Sequence, residues 1–178
     1  MSNVRVQTDA HAFQAWLGLS QGRQAAALRW AATVDLNAPL IPMTTFHVTA
    51  LALAKVLLSD KSPASLEKVD RLLARLRSHV EGAGNTRFQI EVLALYALLD
   101  DALGRQEAAL AHLEAAVALA QPGGLLRVFI DLGAPMARLL ALLVRQGRAA
   151  SYAAQLLHAF PAPSALPPRP PPPPTILI

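Results

Sequence analysis

The stretch RFQIEVLALYALLDDALGRQEAALAHLEAAVALAQP, Arg87 to Pro122, decides how the rest of the chain is read. Apolar residues recur at steps of three and four, first as Ile90, Leu93 and Ala97, then as Leu110, Leu113, Val117 and Ala120. That spacing gathers them on one face of each of two helices. Leu103-Gly104-Arg105 stands between the halves. Gly104 is the expected helix end, because a left-handed backbone costs glycine almost nothing. Ala109 and Ala116 are small where one helix must lie close on the other. Pro122-Gly123-Gly124 closes the unit.

Leu-Gly, alanines at fixed steps after it, and a closing proline are the signature of a tetratricopeptide-type helical hairpin. Working back from it, Gly22-Arg23 falls on Gly104-Arg105, and Ala27-Leu28 on Ala109-Leu110, at an offset of 82 residues. The first pair is expected as Ala10 to Gln21, with Asp9 as its N-cap, and Gln24 to Val34. Between the two units lies another hairpin, Met43 to Leu58 and Ala64 to Val80. Ser62 caps its second helix and Pro63 takes the first helical position. The repeat is then about 41 residues, longer than the roughly 34 of a regular array. Working forward, Leu125 to Leu132, Met136 to Arg145 and Ala149 to Phe160 read as a degenerate fourth pair and a cap. Gly133-Ala134-Pro135 and Gly147 are the breaks, and Leu139, Leu140 and Leu143 point inward. Each unit must bury its apolar face on the next. The expected fold is therefore all-α, a right-handed superhelix of about nine helices over residues 9–160.

Composition agrees with this reading. Apolar residues are 53% of 178, mostly Ala and Leu, which favours helix. The net charge of +4 is scattered, which argues against a nucleic-acid surface. Without cysteine there is no disulfide framework and no thiolate metal site. No signal-peptide core opens the chain, and no run approaches the about 20 apolar residues of a membrane span. A cytoplasmic protein with no membrane partner is the expectation. After Phe160 the composition changes. PAPSALPPRPPPPP holds nine of the fourteen prolines, so residues 161–178 read as a disordered, polyproline-type linker. Such a spacer suggests a piece of a longer polypeptide.

The runs GRQAAALRWA at 22–31, LEAAVALAQPGGLLRVFIDLGAPMARLL at 113–140 and YAAQLLHAF at 152–160 resemble a known family. They are similar to the large ATP-dependent LuxR-type transcription regulators of the MalT class. In that class LExALxLAxPxGxxRxFxDxGxPMxxLL closes a tetratricopeptide-like sensor region. Gly123-Gly124-Leu125-Leu126 stands where Glu-Gly-Tyr-Val is usual, and Leu132 where Glu is usual. The resemblance implies an effector-binding repeat domain. ATP then belongs to an N-terminal module and DNA to a C-terminal helix-turn-helix, neither carried here. No GxxxxGK[ST] motif occurs. A plain protein–protein scaffold is the alternative.

No constellation supports an enzyme, a cofactor or a metal in this chain. Gly18-Leu19-Ser20-Gln21-Gly22 matches GxSxG, but a nucleophile elbow needs a strand before it, and a helix is expected there. The five histidines lack paired metal spacing. Asp100 and Asp101 point about 100° apart on a helix, which suits a solvated face or a local ion pair. Lys68, Arg71 and Arg75 share one helix face with Glu67 and Asp70 beside them, as a solvated outer face would. A ligand site is expected on the concave surface, lined by the first helix of each hairpin. One stripe carries Trp16 and Leu19, the next His47, Ala50 and Ala54, the third Arg87, Glu91, Ala94, Leu98 and Asp101. Small residues mid-stripe should leave room, with Trp16, His47, Arg87, Glu91 and Asp101 gripping a small effector or a protein segment.

Overall fold

The computed structural model describes residues 2–38 and 48–161. Among them every regular element is helical. Three hairpins follow one another: α1 (Ser2–Ser20) with α2 (Gln24–Ala31), α3 (Val48–Asp60) with α4 (Pro63–Ala83), and α5 (Thr86–Ala102) with α6 (Gln106–Ala120). A single 3-10 turn at Gln121–Gly123 leads to α7 (Arg127–Ile130), α8 (Gly133–Arg145) and α9 (Ala150–Ala159). The nine α-helices among the described residues form a tetratricopeptide-like repeat fold.

Local chemistry places the turns where the sequence puts them. Gly22, Gly104 and Gly147 adopt φ of 78°, 73° and 71°, each ending a helix in the left-handed region. Ser62 caps α4, its hydroxyl accepting from the Ser65 amide at 3.2 Å, with Pro63 next to it where a missing N–H costs nothing. Asn85 caps α5 in the same way through the Phe88 amide. Gly133 takes φ 69° and opens α8, so Gly-Ala-Pro both breaks one helix and starts the next, with Pro135 in the first turn.

The first helices stack on each other, α1 on α3 and α3 on α5, while α2 lies on α3 and α4 on α5. The closest pairing is α5 with α6, where Ala94, Ala97, Ala109 and Ala116 are fully buried and let the backbones approach. α5 is the hub, because its apolar residues point both ways. Leu95 and Leu99 join a core with Leu53, Leu73 and Leu76 behind it. Ile90 and Ala94 join a second core with Leu113, Phe129 and Leu140 ahead. A helix buried on opposite faces shows little one-sided amphipathicity, and the α5 sequence is apolar nearly all round.

Two expectations need correction. α1 begins at Ser2, well before Asp9, because nothing in the first residues breaks a helix. Asp9 is therefore inside the helix and no cap; its carboxylate accepts from Thr49 Oγ on α3 at 2.8 Å. The α4 charges are also not simply a solvated face. Arg75 turns to the α2–α3 loop and donates to the carbonyls of Leu36, Asn37 and Ala38. Arg71 sits 3.9 Å from Glu67 one turn back, on the exposed side. The expected start of the third helix, from Met43, and the linker from 162 onward lie outside the described residues.

Candidate functional site

Three first helices meet at one charged group that the sequence did not single out. Lys55, on α3, places its Nζ 3.1 Å from Glu91 Oε1 on α5. The same ammonium lies 5.2 Å from the ring centroid of Trp16 on α1. The Lys55 and Glu91 side chains are only 14% and 15% exposed. A cation over an indole face with a carboxylate beside it is mutually reinforcing, since each contact favours the charged lysine. Phe13 leans on Trp16 at 5.6 Å between ring centroids and extends the aromatic patch outward, being 51% exposed. On the same α1–α3 seam Thr49 donates to Asp9. The seam thus reads the relative placement of three consecutive hairpins.

The other expected site residues go different ways. Asp101 is engaged by Arg138 of α8 and tethers the fourth unit to the third. Arg87 is exposed in the first turn of α5. His47 lies outside the described residues. Ala54 and Ala94 are fully buried, so they leave no room; neighbouring helices close over them, as small residues allow. Of the expected set, the structure brings Trp16 and Glu91 together, and it does so through Lys55. A basic residue in the otherwise apolar run of α3 was the sequence signal for it.

The hairpin turns carry a second set of polar ties. Asp100 is 5% exposed, one of two buried polar residues among those described. Its Oδ2 is 2.8 Å from His112 Nδ1 on α6, and its Oδ1 is 3.6 Å from the Arg105 guanidinium. Tyr96 stacks on the His112 ring at 5.1 Å. Of the two alternatives expected for Asp100–Asp101, the solvated face fails for the buried Asp100, while the local ion pair holds in its contact with Arg105; Asp101 serves a different helix interface. In the fourth unit Arg148 reaches back to Glu114 at 2.6 Å and Glu107 at 3.6 Å. Ser20, at the centre of the GxSxG match, ends α1 and donates to the Leu17 carbonyl at 2.8 Å. No strand precedes it, so the local shape is not an elbow.

Among the described residues no three His, Asp or Glu side chains gather as a metal site. No helix among them is long and apolar enough to cross a membrane. The geometry offers helix-to-helix contacts and shielded charges between neighbouring hairpins. No curated protein matches the chain, and no solved structure does. A family model does match, the MalT-like TPR region, over residues 2–146. That span takes in α1 to α8, and with it the three hairpins, the Lys55 seam and the Arg138 tie; the chain belongs to the MalT-like tetratricopeptide-repeat family.

Proposed function

We propose that this chain is the non-catalytic, effector- or partner-binding repeat region of a MalT-type, LuxR-family transcription regulator. The observation that carries the proposal is the Trp16–Lys55–Glu91 seam, which joins the first helices of three hairpins around one shielded ion pair. An anionic group that takes Lys55 from Glu91 would loosen α3 from α5. A sugar ring would instead stack on Trp16. Arg87 and Asp101, on the same helix as Glu91, are the further contacts proposed, with His47, the residue before α3 in the sequence. Either ligand changes how adjacent hairpins sit, and a superhelix converts small changes per repeat into a large change end to end. In such a regulator ATP and DNA would fall to other modules, and the site of action would be the cytoplasm.

Thermal-shift screening of the full chain against a metabolite set tests this. The expected result is a stabilising ligand whose effect is lost when Trp16 and Glu91 are replaced together by Ala and Gln. A ligand whose stabilisation survives that pair of substitutions refutes the placement. A second reading, a protein–protein scaffold, is favoured by Phe13 and Leu17, which stand 51% and 40% exposed on α1. Under it no metabolite shifts the melting point, and the same substitutions weaken a protein contact.

A further inference from the structure

The first and third hairpins are built alike at their turns. Arg23 N–H donates to the Gly18 carbonyl at 2.8 Å, and Arg105 N–H to the Asp100 carbonyl at 2.8 Å. Gly22 and Gly104 share the same left-handed backbone. Superposed by that register, Gln14 stands for Tyr96, Gly18 for Asp100, Arg23 for Arg105, Ala27 for Ala109 and Trp30 for His112. In the third hairpin the space between the helices is filled, because the Asp100 carboxylate sits there between Arg105 and His112. In the first hairpin that carboxylate is missing.

What stands in its place is an open groove of about 480 Å³ between α1 and α2, lined by His11, Gln14, Gly18, Arg23, Ala27 and Trp30 among others. The volume lies within the range of small-ligand sites. Arg23 has the position of a carboxylate-binding arginine without the carboxylate. Among the described residues its guanidinium donates to Gln21 Oε1 and meets no acid. Its counterparts both do, Arg105 with Asp100 and Arg148 with Glu114. The remaining walls are the Trp30 indole, three alanines and Leu17, which suit a flat apolar body, with His11 and Gln14 as polar groups beside them.

We infer that this groove binds a small monocarboxylic acid with a planar or apolar body, its carboxylate on Arg23 where the third hairpin holds Asp100. Arg23 can offer a charge-assisted pair of donors, and Trp30 offers an aromatic surface. The site is separate from the Trp16–Lys55–Glu91 seam, and either can fail without the other.

Titrating para-fluorophenylacetate into the full chain, followed by fluorine NMR line width of the ligand, tests the site. para-Fluorophenylacetamide has the same shape without the charge and is the matched control. The acid is expected to bind, and the amide about tenfold more weakly or worse. Arg23→Met should weaken the acid by a similar factor and leave the amide unchanged. Gly18→Asp installs the carboxylate that the third hairpin already carries. A Cβ there meets only Arg23 Cβ at 3.8 Å and Nε at 3.9 Å, ordinary contacts. That variant should lose acid binding and melt at a higher temperature than wild type. Acid and amide binding alike, acid binding by Gly18→Asp as by wild type, or no acid binding by the wild-type chain overturns the inference. Arg23 is exposed at the surface, so Arg23→Met decides the matter even if Gly18→Asp does not fold.

Discussion

Replacing Glu91 by leucine leaves the ammonium of Lys55, whose side chain is 14% exposed in the intact pair, with no anion beside it. At the observed 3.1 Å the bare attraction is about 5 kcal/mol for an effective dielectric of about 20. Desolvating two ions offsets most of that, so the intact pair is worth little net against an apolar replacement. Removing one partner is different, because the other stays shielded and uncompensated, at a cost of about 3–5 kcal/mol for a fully buried pair. The Trp16 face still holds the cation, worth about 1 kcal/mol, and the long lysine stem can swing toward water. Glu91→Leu should therefore cost about 2–3 kcal/mol, and Lys55→Met a similar amount. The double variant should lose no more than about 1 kcal/mol, giving a coupling of roughly 3 kcal/mol or somewhat more. Urea denaturation followed by circular dichroism measures all three. For a chain of this size the single variants correspond to a melting point lower by about 5–10 °C. Single substitutions that each cost under about 0.5 kcal/mol and add in the double variant would refute the view that the seam is shielded.

Gly104→Ala should cost about 1–2 kcal/mol, since φ is 73° and a Cβ there meets nothing, leaving backbone strain as the sole cause; chemical denaturation reads it, and an unchanged midpoint contradicts the turn. Burial pushes the Tyr152 phenol above its ordinary range, and its hydroxyl finds no partner among the described residues. Tyr152→Phe should therefore be neutral or stabilising by up to about 1 kcal/mol, and a loss above that in a melting scan would mean the hydroxyl is bonded. The hydroxyls of Ser62 and then Ser65 hold the Asp60 carboxyl below its usual value. A depressed carboxylate stabilises the fold above the ordinary range and loses that contribution as pH falls through the folded value. Asp60→Asn should accordingly flatten part of the acid limb of melting temperature against pH from about pH 5 downward, as pH falls through the ordinary and then the lowered carboxyl value, and an unaltered limb would exclude Asp60 from it.

The sequence by itself determined the order of the described helices and the turns between them, though not where α1 begins. Those features follow from forces acting over a few residues: apolar spacing within one helix, a serine hydroxyl on an amide three residues ahead, a glycine that takes φ near 78° at Gly22 or 73° at Gly104 without strain. Repetition of the same local pattern, Gly22-Arg23 and Gly104-Arg105, was enough to imply a stack. Which polar groups meet was decided only in the tertiary structure. Lys55 finds Glu91 36 residues on, Asp101 finds Arg138 37 residues on, and Asp9 finds Thr49 40 residues on. These separations are close to one repeat, so each tie joins neighbouring units. Its partner depends on how far one helix is rotated and slid against the next. That is set by the fit of Leu, Val and Ala side chains between helices, a property of the assembled core that no single helix carries. The same fit buried Ala54 and Ala94 where an open face was expected, and left the space beside Gly18 open where its counterpart Asp100 closes it.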